Sequence, residues 1–190
     1  MISGEMMEKR KELIPLIIGV LIMTYLVEKI PSDKVLYVLP YGLLTLAGIK
    51  RRAFPYATAA LFSGSFIEWV LTRDYLALAG IAVAILAMPV RVEKQQVRMW
   101  ERVINTAVAG TVAYVSVVGQ DIGIKVAGIF AAIAMLSGNR GISSGGILVG
   151  SSIFMAIPLG NLSDMEPMFF IGASIILLVY SLHHLRKLLR

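Results

Sequence analysis

Eight apolar runs, each 15 to 19 residues long and parted by short polar breaks, leave this chain few folds to choose from. They are Leu13–Val27, Val35–Ile49, Ala53–Leu71, Tyr75–Val90, Val103–Gly119, Ile122–Ser137, Ile142–Leu159 and Pro167–Leu182. Their lengths approach the ~20 residues a helix needs to cross a bilayer core. None alternates apolar and polar positions as membrane strands do, so helices are predicted. Charged residues are only 16% of the chain and hydrophobic ones 57%, against about 25% and 45–50% in ordinary globular proteins. The predicted fold class is an all-α integral membrane protein: one transmembrane domain over 1–190, a bundle of about eight transmembrane helices.

The polar stretch Pro89–Arg102 divides the chain. It holds Arg91, Lys94, Arg98 and Arg102, four of the eighteen basic residues. The predicted organisation is a four-helix half over 1–90, a basic cytoplasmic linker over 91–102 and a second four-helix half over 103–190. An even helix count in each half makes the halves parallel rather than inverted. Tyr25 with Tyr114, Arg51 with Arg140, and Ser63–Ser65 near Ser151-Ser152 are the matches that suggest duplication. In the linker Val97, Trp100 and Val103 recur at three-residue steps, as in an interfacial amphipathic stretch. The alternative is a plain extension of the fifth helix anchored by Trp100.

Lys and Arg fix the predicted orientation. With the N-terminus inside, alternate breaks place fourteen of them in the cytoplasm and four (Lys29, Lys34, Arg73, Lys125) outside. That asymmetry is the positive-inside pattern for eight spans with both termini cytoplasmic, expected in the plasma membrane. The leader Lys9-Arg10-Lys11 and the run behind it lack a small-residue cleavage site, so the first span is read as retained. Pro31-Ser32-Asp33 is expected to stop one helix and cap the next. Ser163-Asp164-Met165-Glu166 ahead of Pro167 reads as a capping box, and Thr72-Arg73-Asp74 and Gly138–Gly141 as tight hairpins. Pro40 and Pro158 fall inside runs, where they free backbone carbonyls, whereas Pro55 and Pro89 lie near run ends.

Glu68 is the one acid inside an apolar run. Acids at membrane depth face the bundle interior or a water-filled cavity. Ala57, Ala60 and Gly64 share its helical face, and small residues there let helices approach closely. Glu68 is therefore predicted to look inward, either as a structural carboxylate or as an ion-binding one. Ser63, Ser65, Ser151, Ser152 and Lys125 complete the ion or solute pathway candidates, although Lys125 is also placed to snorkel outward. Gly146 and Gly150 form a small-xxx-small pair in the seventh run. The turn around Asn139 and Arg140 opens a helix and offers amides for an anion, but it lacks the ending of a phosphate-binding loop. Adjacent His183 and His184 point to different helix faces and make no metal clamp. With Arg186, Lys187 and Arg190 they read as a basic end for anionic headgroups. Asn161-Leu162-Ser163 matches a glycosylation sequon in a short loop and is expected to be unused.

The sequence holds no cysteine, no intramembrane histidine and no acidic dyad, so no catalytic residue, metal or cofactor is predicted. Its positive charges sit in the breaks rather than on one aromatic-bearing face, which argues against nucleic acid as a partner. The expected function is a small polytopic transporter or channel for an ion or small solute. The alternative is a non-catalytic membrane subunit or scaffold of a larger membrane complex. Expected partners are the bilayer, its anionic headgroups, and further copies of the chain or partner subunits.

Overall fold

The computed structural model describes residues 2–88, 95–119, 121–161 and 166–190, with side chains from residue 13 onward. All regular structure among them is helical. Helix α1 spans Ile2–Val27, α2 Val35–Thr45, α3 Phe54–Thr72 and α4 Tyr75–Ala87. They are followed by α5 (Met99–Val118), α6 (Ile122–Met135), α7 (Arg140–Leu159) and α8 (Pro167–Leu189). The one β feature among the described residues is an isolated antiparallel bridge between Gln96 and Asn139. Among the described residues two helices, α7 and α8, are long and apolar enough to cross a membrane; α2, α4, α6 and the apolar part of α1 are shorter.

Helix ends largely follow the local chemistry. Asp74 caps α4 by accepting from the Leu76 amide at 2.8 Å, and Asp121 caps α6 through the Gly123 amide at 2.7 Å. Arg73 closes α3 in a left-handed conformation with φ 53° and lays its guanidinium over the Trp69 ring at 4.6 Å. The hairpin predicted at Thr72–Asp74 is thus present. Other expectations are corrected. The charged leader continues α1 rather than preceding it, across Pro15. Asp33 does not cap α2, whose N-cap is Lys34 with no side-chain bond. The second run is only partly α-helix, since 3-10 turns over Leu46–Ile49 and Arg51–Ala53 carry the chain into α3. Pro89, Arg91, Lys94 and residues 163–165 of the capping box lie outside the described residues.

The chain forms two compact units, Met1–Val92 and Glu93–Arg190. In the first, α3 is the axis: α1, α2 and α4 all pack on it, and α1 also packs on α4. Small side chains make this possible. A Cβ at Gly64 would fall 2.1 Å from Met23 Cε and 3.4 Å from Tyr41 Cβ, so α1 and α2 both close on α3 there. Lys29 and Asp74 form an ion pair between the end of α1 and the start of α4.

In the second unit α7 takes the axial place, with α8, α6 and α5 against it. Gly146 lets α7 touch the α6 backbone, because a Cβ there would sit 2.8 Å from Ala131 O and from Met135 N. The two units share an axial third helix but differ around it. The first helix of unit 1 packs on the fourth, whereas the first helix of unit 2 packs on the second. In both units the second and fourth helices pack on the third, and the difference lies in where the first helix sits.

Large apolar side chains lie outside as well as in the apolar core, and several polar ones are buried with it. Leu21 (64% exposed), Leu86 (78%), Phe130 (68%) and Ile176 (69%) face outward. Thr58, Ser63, Ser65, Glu68, Glu101, Asn105, Ser116 and Ser143 are buried.

Candidate functional site

Among the described residues each unit buries one carboxyl group, and the two are treated in opposite ways. In unit 1 the α3 sequence SGSFIE places Ser65 and Glu68 one turn apart on one face. Ala57, Ala60 and Glu68 are all fully buried, as the small-residue stripe predicts. Neither Glu68 carboxylate oxygen has a hydrogen-bond partner among the described residues, and neither does Ser65 Oγ. Ser63, two residues before Ser65, spends its hydroxyl on Ala59 O at 2.7 Å. Helix α4 closes over Ser65 at Gly80, where a Cβ would lie 2.3 Å from Ser65 Oγ. An unpaired buried carboxyl is among the most costly groups a fold can carry.

In unit 2 the buried acid is Glu101, just ahead of the apolar run that begins at Val103, and it is fully paired. Lys187 Nζ of α8 donates to Glu101 Oε1 at 2.6 Å. Arg140 of α7 donates to Oε2 at 3.1 Å, and so does the Arg98 amide at 3.0 Å. Burial alone would push this carboxyl up, but the Lys187, Arg98 and Arg140 donors outweigh it and bring it down from 4.5 to about 2. One turn further along α5, Asn105 donates to Ser143 Oγ at 2.6 Å and accepts from Tyr180 OH at 3.0 Å. Lys187 Nζ also lies 5.2 Å above the Trp100 ring. His184 is buried with both ring nitrogens unpartnered, packed edge-on to Tyr180 at 4.8 Å between centroids.

Ser151 donates to Leu148 O at 2.9 Å and Ser152 to Val149 O at 2.8 Å, so both hydroxyls serve their own helix. Ser174 of α8 donates to Ser151 O at 2.8 Å, which ties α8 to α7. Lys125 is half-buried in the first turn of α6. The amides of Gly141 and Ile142 donate to Asn139 Oδ1 at 2.9 and 3.4 Å. These two amides are therefore already engaged, and Arg140 reaches Glu101 through one terminal nitrogen while its Nε has no partner among the described residues. No known family, curated protein or solved structure gives a match to this chain.

Sequence reasoning missed Glu101, Asn105, Tyr180 and the inward turn of His184. The linker stripe of Val97, Trp100 and Val103 is also corrected. Val97 is buried, and its amide donates to Gly138 O at 3.1 Å. Trp100 and Val103 are exposed and Glu101, between them, points in. The available signal was Glu101 itself, an acid three residues into a helix among four cations.

Proposed function

We propose that this chain is an integral membrane protein whose eight helices form a bundle in lipid, and that it moves an ion or small solute past Glu68. The observation that carries this reading is the pair of unpartnered carboxylate oxygens on Glu68, fully buried on the axial helix of unit 1 beside the unpartnered Ser65 hydroxyl. A structural acid gathers donors, as Glu101 does; an acid kept bare at membrane depth has a transient partner. Outward Leu, Ile and Phe with inward Ser, Gly and Ala supports lipid as the surrounding solvent. The cytoplasmic excess of Lys and Arg supports both termini inside, and exposed Arg98, Arg102 and Arg186 suit anionic headgroups.

Proteoliposomes test this reading. Wild-type protein is expected to raise the flux of at least one of proton, sodium or potassium above that of empty vesicles. Glu68→Gln, nearly the same in volume, is expected to lower that flux about tenfold or more while the protein stays folded. Equal flux in the two proteins, or none above empty vesicles with all three ions, would reject it.

Unit 2 favours a second reading, a non-catalytic subunit of a larger membrane complex. The Ser143, Ser144, Ser151, Ser152, Ser174 and Ser181 hydroxyls donate to backbone carbonyls and Glu101 is held by two cations, so most of this unit's buried polar groups serve the frame. Stoichiometric partner chains that co-purify in mild detergent would support that reading over transport.

A further inference from the structure

We infer that the cation Glu68 takes up is a proton and not a metal ion, an inference that rests on the transport reading above. The first argument is an oxygen inventory. Calcium takes 6–8 oxygen ligands and magnesium a near-octahedral set, and alkali ions in transporters are held by carbonyls of unwound helices. Among the described residues of unit 1 the unpartnered buried side-chain oxygens are Glu68 Oε1, Glu68 Oε2 and Ser65 Oγ, all on one helix. Among the described residues no group of three His, Asp or Glu side chains is placed to hold a metal.

The second argument is the backbone. Helix α3 runs unbroken from Phe54 to Thr72, with proline only in its first turn. Around Glu68 its carbonyls are engaged: Glu68 O accepts from Thr72 Oγ1 at 2.8 Å, and Trp69 O from the Arg73 amide at 2.8 Å. Nothing in this stretch supplies the carbonyl ligands that a sodium site needs. The third argument is space. Gly80 of α4 sits so close to Ser65 that even a methyl group would collide with its hydroxyl.

A proton escapes all three demands. It requires one lone pair, no shell and no volume. A carboxyl that holds it becomes one donor with remaining acceptor capacity, and the Ser65 hydroxyl is both donor and acceptor. In the step itself, hydronium at one face gives its proton to a Glu68 carboxylate oxygen and becomes water. The carboxylic acid later returns the proton to water on the other side, and no electrons change hands.

Infrared difference spectroscopy on the purified, lipid-reconstituted full chain reads this without any knowledge of the solute. The expected result is a protonated-carboxyl band that rises and falls with pH alone, is abolished in Glu68→Gln and is shifted but retained in Glu68→Asp. Sodium, potassium, calcium and magnesium, each added at fixed pH, should leave the band unchanged. Displacement of the band by one of these ions would make Glu68 a metal-ion site and overturn the inference while leaving transport intact. Absence of any Glu68-dependent band across the pH range would overturn it too. Loss of the transport reading shows separately, as equal flux from wild type and Glu68→Gln.

Discussion

Glu101→Ala is expected to lower the stability of the protein by about 3 kcal/mol, the low end of the range for breaking a buried ion pair. The low end applies because the two cations keep some contact with water: the Lys187 side chain is 25% exposed and that of Arg140 14%. For a chain of this size the loss corresponds to roughly 10 °C in melting temperature, read by thermal unfolding in detergent. The damage comes from the cations left behind, so Glu101→Leu combined with Arg140→Met and Lys187→Met is expected to recover much of it. A single Glu101→Ala variant that melts like wild type would remove the cluster from any structural role.

The same group predicts an acid limb. Its folded value is about 2 and its ordinary value 4.5, so the unfolded chain binds the extra proton first as pH falls. The contribution of Glu101 is then fully present above about pH 4.5 and is lost as pH falls toward 2. Melting temperature should fall over that window in wild type and fall less in Glu101→Gln. An identical acid limb in the two would assign it to other carboxylates.

Gly146→Val is the second large effect expected. A Cβ at this position meets Ala131 O and Met135 N, both 2.8 Å away, and Ala134 Cβ at 2.9 Å. Two of these are main-chain atoms that no rotamer change can move aside, so α6 and α7 must separate. Overpacking of this kind costs about 1–3 kcal/mol for a methyl group and more for a branched side chain. Gly110→Ala and Gly172→Ala are the controls, since a Cβ at either meets nothing within 4 Å. Both should be neutral, or stabilising by up to about 1 kcal/mol through helix propensity. If all three variants expressed and melted alike, close contact between α6 and α7 would be wrong.

How much of this was legible in the chain depends on how far apart the deciding residues lie. Helix positions followed from apolar runs and local caps, which is why Asp74 and Asp121 stand at helix starts. The inward face of Glu68 followed from the spacing of Ala57, Ala60 and Gly64 within one helix. Glu101 was hidden because its partner Lys187 is 86 residues away, and one of two acids among four arginines and lysines resembles a solvated break. Helical geometry separates His183 from His184, but only the packing of α8 on α7 decides which of them turns inward. Serine hydroxyls were equally opaque: Ser65 is bare while Ser63, Ser151 and Ser152 bond to carbonyls, and nothing in their neighbours' identities distinguishes them.

The enclosure of α7 has a consequence for biogenesis. It emerges from the ribosome before α8, yet α8 supplies Ser174 for its backbone and Lys187 for the acid that Arg140 also holds. Until α8 arrives, a helix rich in glycine and serine has one flank uncovered, and Glu101 has half its counter-charge. The contacts that complete this unit therefore form only after its fourth helix has been made.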